Sequence, residues 1–188
     1  MKRFLALLAL ILCAYAARAE NWEGTADVKF KGYSTLHNFT GTVSGVPLKV
    51  SVTGERGSRL VSATSSVEVK QMSTKDEARD KNMWAMFNEA KYRLIKVSVT
   101  GVREQDLKPT GGRTGTMPIS LTIAGTTGKV TASITQVVED ANEVSFDLAF
   151  PVSLPAFKLD PPKAVGGLVK VKETVDATAH VVLKRANP

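Results

Sequence analysis

Few residues in this 188-residue chain could do covalent or acid–base chemistry. A hydrolytic or metal centre needs a nucleophile beside a base, or several imidazole, thiolate and carboxylate ligands converging on one point. The chain has two histidines, His37 and His180, 143 positions apart, and neither has an acidic residue at ligand spacing. Its one cysteine, Cys13, sits in an apolar run near the N-terminus. Glu68, Asp80, Asp147 and Asp176 fall on polar faces of expected strands or on an expected helix, where a solvated charge is the ordinary case. No GxSxG, HExxH, P-loop or strand-linked GxGxxG occurs. The sequence therefore predicts no enzyme, no metal site and no cofactor. A hydrolase or isomerase would need a buried polar pair that none of these residues supplies.

The residues that gather by type are apolar. Phe30, Phe39, Phe146, Phe150 and Phe157 fall on expected strands or at their ends, and Met83, Met86 and Phe87 fall on the expected helix. Methionines on a covering helix suit an adaptable binding surface, because their side chains repack at little cost. Alternation predicts that Ile119, Leu121, Ile123, Phe146, Leu148 and Phe150 line an interior cavity. Phe30 and Phe39 are expected deeper along it, and Met83, Met86 and Phe87 at its mouth. His37 and Arg79 are the candidate contacts for a polar head group. The same apolar residues could equally fill a solid core, since a barrel of about eight strands either packs its interior or holds one slender ligand.

The elements that must position these residues are mostly strands. After Glu20, 44 of 169 residues are Val, Thr or Ile, whose branched β-carbons suit a pleated, half-buried surface. Single-sided alternation runs through Val46–Val52, Val61–Val69, Ile95–Val99, Met117–Ile123, Val130–Ile134, Val144–Phe150 and Val175–Leu183. With an N-terminal strand around Ala26 to Phe30, this predicts about eight antiparallel strands, as a closed meander or a two-sheet sandwich. Turn-forming clusters separate the runs, among them 54–58, 109–112, 124–128, 140–142 and 161–167. One segment breaks the period. From Thr74 to Tyr92 there is no β-branched residue after the first position, and Thr74-x-x-Glu77 fits a capping box. This predicts an amphipathic helix from Lys75 to about Ala90, with Met83, Met86, Phe87 and Ala90 on one stripe.

The first 19 residues read as a cleaved signal peptide: a basic start at Lys2-Arg3, an apolar core from Phe4 to Ala16, and a small-x-small site at Ala17-Arg18-Ala19. The expected mature chain, 20–188, is one domain. It loses three of the 25 basic residues and none of the 18 acids, leaving a formal charge of +4. That excess is modest and interspersed with acids, whereas nucleic-acid binders concentrate charge among aromatics. No nucleic-acid partner is expected, and weak attraction to an anionic membrane face is compatible with the charge. Without Cys13 the mature chain has no thiol for a disulfide or a metal.

Three stretches together resemble the YceI-like proteins. They are Ser34-Thr35-Leu36-His37-Asn38-Phe39-Thr40-Gly41, Met72-Ser73-Thr74-Lys75 with Ala78-Arg79-Asp80-Lys81-Asn82-Met83, and Pro118-Ile119-Ser120-Leu121-Thr122-Ile123-Ala124-Gly125. The closing segment, from Phe150 through Pro161-Pro162 and Gly166-Gly167 to Val169-Lys170-Val171, is similar too. The chain departs from the family pattern at Arg93, where a proline is usual. The resemblance implies a lipocalin-like antiparallel barrel exported to the periplasm, with a polyisoprenoid or similar long-chain amphiphile in its interior. The expected function is thus a carrier of an apolar lipid such as an isoprenoid quinone or polyprenyl compound. The alternative is a stress-response or interaction module with a packed barrel. A homodimer through exposed strands is compatible with either.

Overall fold

The computed structural model describes residues 19–55, 57–108, 114–164 and 169–186. Residues 1–18 of the expected leader, 1–19, lie outside these residues, as do the whole of the expected turn at 109–112 and parts of those at 54–58 and 161–167. The elements in chain order are β1 (Glu20–Gly32), β2 (Phe39–Thr53), β3 (Leu60–Glu68), α1 (Glu77–Met86), β4 (Leu94–Arg103), α2 (Glu104–Leu107), β5 (Gly115–Ile123), β6 (Thr126–Glu139), β7 (Glu143–Ser153), β8 (Lys163–Ala164), β9 (Val169–Lys170) and β10 (Thr174–Arg185). Eight of them close into an antiparallel barrel in the order β1-β10-β7-β6-β5-β4-β3-β2, and the short β8–β9 pair stands apart. Closure removes the sheet edges that a sandwich would leave open. The expectation of about eight strands holds, with a first strand longer than 26–30.

Alternation decides which side chains face in. On β5, Met117, Ile119, Leu121 and Ile123 are buried, and on β10 so are Ala177, Ala179, Val181 and Leu183. Strands are bent into the barrel at three register shifts, between Ala26 and Val28, Val61 and Ala63, and Thr135 and Val138. Glycines sit at two of these bends. Gly45 (φ 67°) donates its N–H to Asp27 Oδ1 at 2.9 Å, and Gly101 (φ 61°) donates to Ser62 Oγ at 3.0 Å. The β5–β6 hairpin turns on Ala124 and Gly125, both at positive φ, as a two-residue turn of type I′ requires.

The strand ends define two ends of the barrel. One, the mouth, carries the 33–38 and 69–93 connections and the β8–β9 excursion. The other, the distal end, carries α2 and the turns at 54–59 and 140–142.

The helix differs from its expected bounds at both ends. Lys75 adopts φ 60°, a left-handed conformation that a helix cannot contain, so Asp76 is the N-cap and its Oδ1 accepts from Arg79 N at 3.0 Å. The Thr74–Glu77 capping box does not form. At the other end Asn88, at φ 50°, halts the helix after Met86 and leaves Ala90 outside it and exposed.

Candidate functional site

An apolar cavity of about 480 Å³ opens at the mouth, a size ordinary for small-ligand sites. Its walls come from the mouth-end halves of the strands: Phe30 on β1, Phe39 on β2, Leu121 and Ile123 on β5, and Phe150 on β7. The lid is α1, which lays Met83, Met86 and Phe87 into the same space. Arg79 and His37 stand on its rim. Ten of the thirteen predicted positions thus meet at one cavity. The other three, Ile119, Phe146 and Leu148, border a second apolar chamber of about 230 Å³ at the distal end. The division falls between inward neighbours on one strand, Ile119 from Leu121 and Leu148 from Phe150, and Val97 borders both chambers.

Phe39 does not lie deep in the barrel. It begins β2, opposite Gly32, and the Arg79 guanidinium rests 5.1 Å from its ring centre. Phe30 and Phe39 form a reciprocal pair: Phe30 faces Gly41 across the strands and Phe39 faces Gly32. A β-carbon at either glycine would run into the opposing ring. Each glycine lets its phenylalanine fold flat against the wall, which keeps the lumen open beside it.

The lid is fastened by Asp80, which the sequence alone predicts to be a solvated charge. Asp80 is only 5% exposed. Its carboxylate accepts from Thr74 Oγ1 at 2.6 Å, Thr74 N at 2.7 Å and Ser73 Oγ at 2.8 Å. Burial pushes this carboxyl up, but the Thr74 hydroxyl and N–H, the Ser73 hydroxyl and the Arg79 charge together outweigh it, so Asp80 titrates below the usual carboxylate range. Ser73 is itself tied to β2, exchanging backbone hydrogen bonds of 2.8 and 3.0 Å with Thr42. Trp84 Nε1 adds a bond to the Met72 carbonyl at 3.2 Å. Asp80 therefore clamps the start of α1 to the segment that enters it.

On the rim Arg79 is paired. Arg79 Nη2 lies 3.2 Å from Asp76 Oδ2. His37 is exposed rather than half-buried, and it is held through its backbone: His37 N donates to Ser34 Oγ at 3.1 Å, and Ser34 Oγ donates to the His37 carbonyl at 2.6 Å. His180 faces solvent on the barrel exterior, 2.7 Å from Asp147 Oδ1. The two histidines are not brought together. Among the described residues no group of three or more His, Cys, Asp or Glu could hold a metal ion, and no buried side-chain polar atom lacks a hydrogen-bond partner.

Ion pairs ring the distal chamber. Arg185 Nη2 lies 3.5 Å from Glu20 Oε2, which also meets Arg59 Nη2 at 2.8 Å, and Arg59 Nε lies 3.2 Å from Glu104 Oε2. Lys108 Nζ continues the chain to Glu104 Oε1 at 3.3 Å and Glu139 Oε2 at 3.0 Å. All six residues line the chamber. Sequence reading missed this belt, as it missed Leu36, Val67, Ile95 and Val171 at the mouth cavity. Val67 and Ile95 follow the alternation that exposed the others, whereas Leu36 sits in the turn after β1 and Val171 beyond β9, outside any alternating run; the belt had no local signal, because its members come from five separate segments.

Compared with known families, residues 22–183 match the model of the YceI-like domain. The chain is a YceI-like protein. Solved structures with this fold include BcnA of Burkholderia cenocepacia, with 18% identity and a TM-score of 0.64 over 84% of this chain and 95% of that one. A polyisoprenoid binding domain from Saccharophagus degradans, implicated in plant cell wall breakdown, shares 12% identity with a TM-score of 0.60, covering 87% of this chain and 98% of that one. The YceI protein of Campylobacter jejuni shares 16% identity with a TM-score of 0.56 over 82% and 88% of the two chains. At these identities the likeness shows the barrel and no more. No curated protein matches this chain. Within the YceI-like frame, the Asp80 clamp explains why the Arg79-Asp80-Lys81-Asn82-Met83 stretch is built as it is: Asp80 fastens the lid, Arg79 covers Phe39, and Asn82 and Met83 line the cavity.

Proposed function

We propose that this YceI-like protein is a non-enzymatic carrier that holds the apolar tail of an isoprenoid lipid, a quinone or a polyprenyl compound, in the mouth cavity. The observation that carries this reading is the 480 Å³ apolar cavity under a methionine-bearing lid. A similarly folded protein named as a polyisoprenoid binding domain supports it. The leader-like N-terminus supports a periplasmic location, where such a tail needs shelter from water.

The energetics favour exchange over capture. Each buried CH₂ gains about 0.8 kcal/mol relative to water, but the competing site is a bilayer as apolar as the lumen. Net transfer from membrane to protein is then near neutral and set by fit and by rim contacts. His37 and Arg79 are the residues placed to touch a head group.

The test is native mass spectrometry of protein purified without detergent, followed by solvent extraction and lipid identification. One isoprenoid per chain is the expected result. Leu121→Trp, which projects an indole into the cavity, should lower or remove that adduct while the barrel still melts cooperatively. A bare polypeptide after exposure to membrane lipids, or unchanged lipid content in folded Leu121→Trp, would sink the carrier reading.

A further inference from the structure

We infer that the mouth end docks on anionic bilayers, with Leu36 as an apolar tip flanked by Lys170 and Lys172. Three observations combine. Leu36 is 63% exposed and also borders the mouth cavity, so whatever surface it enters adjoins the lumen. A lone exposed leucine would mean little, since scattered surface apolar groups are normal.

The second observation is that this leucine is held in place. Ser34 Oγ accepts from Leu36 N at 3.3 Å and from His37 N at 3.1 Å, which fixes the turn that presents it. The same turn is bonded to the segment bearing the lysines: Thr35 N donates to the Lys170 carbonyl at 3.0 Å, and Lys172 N donates to the Tyr33 carbonyl at 2.7 Å. Tip and lysines form one unit.

The third is where the net charge resides. The mouth-end connections 33–38, 69–93, 124–125, 154–164 and 169–173 carry ten basic and six acidic residues, and the rest of 20–188 carries twelve of each. The whole +4 of that stretch belongs to one end of the barrel. Val138, 67% exposed toward the other end, belongs to the part of the chain whose basic and acidic residues are equal in number. An apolar tip within a cationic field is what an anionic headgroup layer recognises, and the attraction acts within a Debye length of the surface. A protein partner with an acidic face would satisfy the charge but would not require the tip to leave water for hydrocarbon.

This goes beyond the carrier reading, and the experiment keeps the two apart. The protein is sedimented with vesicles of phosphatidylglycerol and phosphatidylcholine, and with vesicles of phosphatidylcholine alone, while its lipid content is read separately by native mass spectrometry. Binding to the anionic vesicles at about 0.05 M salt, lost by about 0.5 M, is expected. Lys170→Glu with Lys172→Glu should lower partitioning at least about ten-fold. Lys49→Glu with Lys184→Glu, the same charge change at the distal end, should lower it far less. Leu36→Trp should gain a blue-shifted emission on anionic vesicles only. Equal binding to both vesicle types, equal loss from the two double variants, or no emission shift would overturn docking, even if the barrel carries lipid.

Discussion

The two ends of this barrel are closed by opposite means. At the mouth a short helix covers the larger of the two chambers, turning Met83, Met86 and the capping Phe87 inward, and its first turn is clamped by one buried carboxylate that accepts three hydrogen bonds. At the distal end a chain of partly exposed ion pairs rings the smaller chamber. Packing and buried hydrogen bonds make a lid whose opening is a discrete, costly event. Solvated ion pairs make a rim that rearranges one pair at a time, each worth about 0–1 kcal/mol. The contrast teaches that the guarded opening is the one facing the large cavity.

The comparison breaks most readily at Phe87. Phe87→Ala should cost about 3 kcal/mol or more by removing the buried aromatic ring that caps the lid, measured by urea unfolding of the lipid-free protein. A cost under about 1 kcal/mol would mean that the lid does not pack as described. Next is Asp80→Asn, which replaces an acceptor of three bonds with a group that must also donate, at an expected cost of about 1–3 kcal/mol. Faster hydrogen exchange in 77–86 than in the strands should accompany it, and an unchanged exchange rate would deny Asp80 its clamping role.

How much of this was legible beforehand differs between the ends as well. Alternation along Met117–Ile123 and Val144–Phe150 showed which side chains face inward, because the period-two pattern is a local property of a strand. It could not show depth, so Ile119 and Leu121 read alike although they border different chambers. Asp80 was misread as a solvated charge because its partners, Ser73 and Thr74, precede the helix across a left-handed Lys75 that no propensity foretells. The distal belt was invisible for a further reason: Glu20 and Arg185 meet only because the barrel closes.

Two smaller effects sharpen the contrast. Asp80 has a carboxyl held below its ordinary value of 3.8, so its stabilisation is fully present above that value and is lost as pH falls through the folded-state value beneath it. Acid unfolding of the wild type should therefore show a component below pH 3.8 that Asp80→Asn lacks, and superposable acid limbs would contradict the assignment. Lys108 is shifted the other way, chiefly by its hydrogen bond to Glu139 and against the pull of burial. Its contribution is present below its ordinary value of 10.5 and disappears only as pH rises through the folded-state value above it. The Lys108 pairing should thus be indifferent to pH near neutrality but responsive to salt. Glu104→Gln, which loosens both Arg59 and Lys108, should cost less than about 1 kcal/mol and less still in about 1 M salt. A larger, salt-independent cost would erase the difference between the ends.

Strands β1 and β10 are the first and last of the barrel, and they pair from Trp22–Arg185 to Lys31–Asp176. The enclosed space therefore has a birth time. A chain made from its N-terminus cannot close the barrel until β10, Thr174–Arg185, is in hand. Closure is a late event by construction, and losing β10 would leave β1 and β7 with unpaired edges ready to recruit a neighbour instead of a leaky barrel.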